Sequence, residues 1–372
     1  MRIAIDYTAA IQQHAGIGRY TRNLVGALAE LDQSNQYVLF SAGRDPAPPP
    51  WPANFSRREL PINDRHLAIL WQRLKLPLPA ELFTGRIDLF HSPDFVLPPL
   101  VRAAKVLTIH DLSFVRLPEC SSPALLRYLL DAVPPSIARA DHLLADSHAS
   151  KRDLAEVYNI DPQRITVIYA GFDPVFTAVP AADDAEVLTR HGLSTPYILS
   201  VGTLQPRKNY PTLIRAYSRL VAEQDIPHQL VIAGERGWLT EEIDRAIADS
   251  GITERIRVLG FTPDADLPAL YRGAALFAFP SLYEGFGIPL LEAMGCGTPV
   301  VASNNSSLPE VAGDAAILVE PRDAEALAAA MWRVLSDDTL RSSLCERGFA
   351  RTQVFSWQAA AEMLLSVYRR FS

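Results

Sequence analysis

The stretch LFAFPSLYEGFGIPLLEAMGCGTPVVAS, residues 276–303, decides how this chain folds. It opens with a short apolar run, LFAFPS (276–281), passes a glycine-bearing turn and enters a helical pattern near Gly287. A β-branched run, PVVAS (299–303), follows. Strand, helix and strand in that order make a parallel βαβ unit. Glu284 and Glu292 stand eight positions apart across its apolar centre. A helix that starts at Gly287 leaves the amides of Gly287 and Ile288 unpaired, and such amides attract an anion. Gly285 and Gly287 admit a ligand close to the backbone, and Pro289 suits a first helical turn. Eight helical residues rise about 12 Å, so the two glutamates reach different parts of one extended ligand with a phosphate between them. In the competing reading, Glu292 faces solvent while Leu290, Leu291 and Met294 pack.

The same alternation extends through the chain. Strands are expected at 2–7, 36–40, 88–92, 105–111, 142–147 and 165–171, and again at 197–203, 229–235, 256–261, 276–281, 299–303 and 316–320. Several are unbroken apolar runs, the mark of strands covered on both faces by helices. The length of 372 residues favours two domains. The segment 173–196, with its prolines and acidic cluster, reads as a linker between them. The expected division is therefore an N-terminal acceptor-side domain at 1–175 and a linker at 176–196. A nucleotide-binding domain at 197–354 and a C-terminal helix at 355–372 complete it. Both domains are α/β, doubly wound and Rossmann-like, and face a central cleft. Ligands of such sheets sit at the carboxyl ends of the strands.

Composition excludes several function classes. The net charge of -7 falls entirely in residues 181–372, which carry 17 basic and 24 acidic side chains. A nucleic-acid binder usually shows the opposite sign. Cys120, Cys296 and Cys345 form no close pair, which disfavours a disulfide framework or zinc site and suits a reducing compartment. No signal peptide precedes the first strand, and no run approaches the ~18–20 apolar residues of a membrane span. A cytoplasmic protein is expected.

The polar residues at strand ends supply the candidate chemistry. VGTLQPRKNYPTLIRAY (201–217) places Arg207 and Lys208 just before a helix that begins near Tyr210. Adjacent cations there can neutralise a diphosphate; solvated surface charge is the plainer reading. Lysine is scarce, occurring only at 75, 105, 151 and 208. In the first half, Gly16 and Gly18 open a helix. A dinucleotide fingerprint would want a third glycine where Thr21 stands, so a loop closing over phosphate or sugar oxygens fits better. His110, at the end of its strand, can donate to a sugar hydroxyl, orient an acceptor or pass a proton; a loop hydrogen bond explains it equally. His91 is a weaker candidate of the same kind, and Ser147 reads as a helix cap. The Asp264–Asp266 pair imitates a metal-binding motif but reads more simply as an N-cap.

The combination of GIGRYT (16–21), HD (110–111), VGTLQPRKN (201–209) and EGFGIPLLEAMGCGTPVVAS (284–303) resembles the retaining glycosyltransferases of family 4, which have the GT-B fold. The resemblance spans essentially the whole chain and is strongest over 197–320. It implies that Glu292 binds the ribose of a nucleotide sugar and that Glu284 contacts the donor sugar's hydroxyls. It places the backbone of Phe286, Gly287 and Ile288 near the diphosphate and sugar. Lys208 matches the family's diphosphate lysine, His110 a histidine near the reaction centre, and Gly16 and Gly18 the N-terminal glycine loop. Gly260 falls where the backbone meets the nucleobase. Many members carry an arginine where this chain has Thr203, and Arg207 supplies the missing charge. That pattern is similar to a subgroup rich in mannosyl- and rhamnosyltransferases of cell-surface polysaccharides.

The implied reaction is a metal-independent hexosyl transfer with retention, needing no cofactor beyond the donor. GDP-mannose is the first choice of donor, with UDP- or dTDP-linked sugars behind it; the acceptor is a glycan or a lipid-linked glycan. Rival readings are a sugar-nucleotide epimerase or phosphorylase on the same plan, and a non-enzymatic sugar-nucleotide-binding protein. In RHLAILWQRLKL (65–76), Leu67, Leu70, Trp71 and Leu74 share one helical face, with Arg65, Arg73 and Lys75 off it. That stripe suits a peripheral contact with the inner membrane surface, and equally a helix packed within the first domain. The Pro-rich segment 43–65 reads as a loop.

Overall fold

The computed structural model describes residues 1–13, 16–74, 76–194 and 196–372. Two compact units are present. The first comprises Met1–Leu112, Ala124–Gly171 and Ser356–Ser372; the second comprises Ser113–Pro123 and Phe172–Phe355.

The first unit carries β1 (Arg2–Asp6), β2 (Gln36–Ala42), β3 (Phe55–Leu60), β4 (Leu89–Ser92), β5 (Ala104–Ile109), β6 (His142–Ala145) and β7 (Ile165–Val167). They form one parallel sheet in the order β3-β2-β1-β4-β5-β6-β7. Six of these strands lie where the apolar runs predict them. The seventh, β3, lies inside the Pro-rich segment read as a loop. Its sequence, FSRREL, is largely exposed, so no apolar run announces it. As an edge strand it pairs, among the described residues, with β2 alone, and Phe55 stacks on Tyr37 with ring centroids 4.4 Å apart. Ser147 caps the helix His148–Tyr158 as expected, its Oγ accepting from the amide of Ser150 at 3.0 Å. The C-terminal helix Trp357–Tyr368 returns to this unit and packs on the helix Ile17–Leu31.

In the second unit, β8 (Tyr197–Val201), β9 (Gln229–Ala233), β10 (Ile256–Gly260), β11 (Leu276–Phe279), β12 (Val300–Ser303) and β13 (Ala316–Val319) make a parallel sheet ordered β10-β9-β8-β11-β12-β13. Strand direction is uniform because every connection is a crossover, and the helices cover both faces. Ile198, Leu230, Ile232 and Leu276 bury one face against Leu213, Tyr217, Leu327 and Met331. Full burial accounts for the unbroken apolar strands. The order reverses between β8 and β11, whose register sets Leu276 against Ile198. A crevice opens at such a reversal, at the carboxyl ends of the strands. Within the segment read as a linker, Asp184–Arg190 forms a helix packed on the helix Leu267–Gly273. Arg272 pairs with Asp184 to fasten it.

Candidate functional site

The two segments that leave the reversal point of the second unit meet. After β8, Pro206–Lys208 make one 3₁₀ turn ending at Asn209, whose backbone is left-handed. Asn209 Nδ2 donates to the carbonyls of Pro280 (2.9 Å) and Pro321 (2.5 Å), tying this turn to the end of β11. After β11, the amide of Leu282 donates to the carbonyl of Arg207 at 2.8 Å. Ser307 Oγ is placed against the carbonyls of Glu284 (2.9 Å) and Phe286 (2.7 Å). The loop around Glu284 is therefore held from both sides.

Three of the predicted residues come together here. Lys208 Nζ lies 2.7 Å from Glu284 Oε1, and Arg207 Nη1 lies 2.7 Å from Glu284 Oε2. Arg207 Nη1 also donates to the carbonyl of Tyr283 at 2.6 Å. Lys208 Nζ sits 4.6 Å from the ring centroid of Phe279, a cation–π contact. All three charged side chains are largely shielded. Burial alone would raise the Glu284 pKa, but the charges of Arg207 and Lys208 outweigh it and hold the carboxyl at about 2. The plain reading of Arg207 and Lys208 as solvated surface charge does not hold.

The helix predicted from Gly287 runs Ile288–Gly295, with Gly287 as its N-cap at φ 110° and Pro289 in its first turn. A side chain at 287 would be strained there, and a Cβ would lie 2.7 Å from Leu308 Cδ2. Glu292 is buried, which excludes the solvent-facing reading, and its Oε2 accepts from the Tyr271 hydroxyl at 2.8 Å. Phe286 is buried edge-on against Phe355. Thr203 follows β8 in the same crossover, and Gly260 ends β10 at φ 73° beside a register shift.

The remaining candidates belong to the first unit. Gly16 caps the helix Ile17–Leu31, and a Cβ on Gly18 would fall 1.9 Å from the carbonyl oxygen of Gln13. His110 is buried after β5. Its Nδ1 is 2.7 Å from Asp146 Oδ2, and its Nε2 donates to the carbonyl of Pro93 at 2.7 Å. Tyr20 meets the imidazole edge-on with centroids 4.9 Å apart. Burial pulls the His110 pKa down, but the charge and hydrogen bond of Asp146, helped by Asp94 and the Pro93 carbonyl, raise it to about 9. With both ring nitrogens facing acceptors, the surroundings favour the protonated imidazole. His91 instead joins β4 to the C-terminal helix. Its Nδ1 is 2.7 Å from the Tyr368 hydroxyl and its Nε2 is 2.9 Å from Thr108 Oγ1.

Asp266 occupies the N-cap position expected of it, yet its carboxylate serves other partners, Arg190 Nη2 and His191 Nε2, each at 2.8 Å. The stripe at 65–76 divides. Leu67 is buried and Trp71 packs near Phe40 and Phe83, whereas Ile69 and Leu74 are exposed. Lys75 lies outside the described residues.

Two partners of site residues escape sequence reasoning for different reasons. Asp146 carries a usable signal, a carboxylate at the carboxyl end of a buried strand beside the one bearing His110. Tyr271, within LPALYRG, reads as an ordinary core aromatic.

Residues 14–176 match the family model described as Glycosyltransferase Family 4, and residues 189–351 match Glycosyl transferases group 1. The O-antigen chain mannosyltransferase B of Escherichia coli is 34% identical over 366 residues, covering 95% of this chain and 96% of that protein. A sucrose-phosphate synthase from Thermosynechococcus elongatus superposes with a TM-score of 0.78 at 24% identity, over 100% of this chain and 98% of that one. Anabaena HepE, solved in complex with UDP and glucose, gives a TM-score of 0.76 at 19% identity over 100% of both chains. Sheet order, sequence and superposition agree on the GT-B fold, and the chain belongs to the family 4 glycosyltransferases.

Proposed function

We propose that this glycosyltransferase moves a hexosyl group, mannose first, from a nucleotide diphosphate sugar to a glycan or lipid-linked acceptor, with retention and without a metal. GDP-mannose is the favoured donor and a UDP- or dTDP-sugar the next choice. The observation that carries the reading is the pairing of Arg207 and Lys208 with Glu284 at the reversal point of the second unit. Support for mannose comes from the full-length match to an O-antigen mannosyltransferase. Support for a nucleotide-sugar donor comes from the superposition on HepE with UDP and glucose.

In this reading the two cations and the amides of Gly287 and Ile288 face the diphosphate, Glu292 accepts from the ribose, and Gly260 lies under the base with Thr203 nearby. The C1–O bond to the diphosphate breaks as the acceptor oxygen bonds to C1 on the same face, and the acceptor's proton passes to the departing diphosphate. Negative charge grows on that leaving group. Preorganised cations and amides in a shielded site offset it, and such electrostatic stabilisation usually lowers a barrier more than any other single effect. Before the donor enters, Glu284 compensates Arg207 and Lys208; the phosphates then take over the cations and free Glu284 for the sugar's hydroxyls. Phe286 and Ile288 shape the same turn. His110 enters as a fixed imidazolium, contributing charge and not proton transfer. Gly16 and Gly18 let a ligand approach the start of their helix closely.

A panel of GDP-, UDP- and dTDP-linked sugars, read by thermal shift, tests the donor, since a bound ligand raises apparent stability by mass action. GDP-mannose should give the largest rise. Wild-type affinity for every such donor in both Lys208→Ala and Glu292→Ala would mean that the site lies elsewhere.

We also propose a peripheral contact with the inner membrane surface, at the cytoplasmic side, through the first unit. Among the described residues, no helix is long and apolar enough to cross a membrane. Ile69, Leu74, Leu76, Leu78, Leu82 and Val101 are exposed aliphatics. They are linked locally: Trp71 Nε1 donates to the carbonyl of Leu78, and Glu81 Oε1 accepts from the amide of Val101, both at 2.8 Å. Arg73 and Arg102 are exposed beside them. Apolar side chains rimmed by cations suit an anionic lipid surface. Flotation with phosphatidylglycerol vesicles at low salt is the check, and protein left in the bottom fraction ends the idea.

A further inference from the structure

Tyr271 is fully buried, and its ring is gripped edge-on from two sides, by Phe176 at 5.8 Å and Phe277 at 5.3 Å between centroids. Its backbone is also fixed: Thr298 Oγ1 donates to the Tyr271 carbonyl at 2.6 Å. A ring so held delivers its hydroxyl to one point, 2.8 Å from Glu292 Oε2. The terminal torsion of a glutamate is broad and roughly two-fold, so an unrestrained carboxylate samples many orientations. A phenol that donates to one oxygen sets the carboxylate plane. It also supplies part of the hydrogen bonding that a carboxylate 4% exposed requires.

We propose that Tyr271 is a positioning residue: it orients the Glu292 carboxylate to accept from the vicinal hydroxyls of a ribose, and so makes the site select ribonucleotides. The proposal rests on the reading of Glu292 as the ribose acceptor and adds the group that makes this acceptor selective. Two adjacent hydroxyls need a carboxylate of fixed plane. A site built to bond hydroxyls leaves its polar groups unpaired when a ligand lacks them, which is the source of strong discrimination.

The test compares the affinities of GDP and UDP with those of their 2′,3′-dideoxy analogues, by calorimetry, on the full chain. Hydrogen bonds to a charged group predict a wild-type preference of about 100-fold for the ribonucleotide that binds. Tyr271→Phe removes only the hydroxyl and should reduce that preference to about 10-fold or less, with the donor KM rising and kcat little changed. Glu292→Gln should lose the preference as well. A folded Tyr271→Phe that keeps the wild-type ratio overturns the positioning role and leaves the ribose reading of Glu292 standing. A wild-type chain that binds ribo- and dideoxynucleotides equally overturns the ribose reading itself. Should Tyr271→Phe fail to fold, Phe176→Leu, which removes one of the two rings that grip Tyr271, is read by the same ratio, and an unchanged ratio there rejects the proposal.

Discussion

Lys208 Nζ and Glu284 Oε1 lie 2.7 Å apart although 76 positions separate them in the chain. Each residue follows one of the two strands, β8 and β11, that adjoin at the reversal of the sheet. The ion pair is mutual compensation: neither charge is well solvated, and a buried charge without a partner is costly.

Lys208→Ala should therefore act on phosphate binding and not on the fold of the sheet. A charge-assisted hydrogen bond of this type corresponds to a loss of about 10- to 100-fold in affinity for a nucleoside diphosphate. Affinity for the nucleoside without phosphates should stay at its wild-type value. Calorimetry on the two ligands checks the contrast, and equal losses for both would place Lys208 away from the phosphates.

Glu284→Gln makes the opposite prediction for binding. It removes the carboxylate charge that Arg207 and Lys208 both face, so the ligand-free protein should lose about 3 kcal/mol of stability. A nucleoside diphosphate should restore much of that loss and bind more tightly than to the wild type, because its phosphates no longer compete with a carboxylate. If Glu284 meets the donor sugar as proposed, transfer should nonetheless slow by about 100-fold or more. Unfolding with and without the diphosphate, together with initial rates, tests all three statements.

The Glu284 pKa of about 2, below the ordinary 4.5, fixes the sign of an acid dependence. A depressed carboxyl contributes stability that is complete above pH 4.5 and is lost as pH falls toward 2. His110 has the mirror behaviour. Raised from 6.5 to about 9, it contributes stability that is complete below pH 6.5 and is lost as pH rises through 9. Denaturant unfolding at pH 6 and pH 9.5 should show this decline in the wild type and a much smaller one in Asp146→Asn, which lacks the charge that raises the histidine. Equal declines would remove Asp146 as the cause.

Tyr368→Phe probes the C-terminal helix. The hydroxyl is 2.7 Å from His91 Nδ1, and burial holds that imidazole neutral with a pKa of about 3. Removing the hydroxyl strands a buried ring nitrogen, at a cost of about 1–3 kcal/mol. A fall of several degrees in Tm is expected, with donor affinity unaltered. A change in donor affinity with unchanged Tm would give His91 a role beyond joining β4 to the helix.

Much of this molecule is written in short-range patterns. Unbroken apolar runs separated by helical spacing determined two doubly wound sheets, because a strand covered on both faces has no polar side to show. The residues after Val201 and Phe279 marked out the candidate site, since cations, glycines and a helix start at strand ends are local features. Strand β3 left no such trace, because an exposed edge strand of charged residues lacks the apolar signal. Only the tertiary structure decided that Glu284 would meet both Arg207 and Lys208, that Asp146 would meet His110, and that Tyr271 would hold Glu292. The physical reason is the crossover: each helix that returns the chain to the same sheet edge brings together side chains distant in sequence, and no local periodicity records which of them will meet.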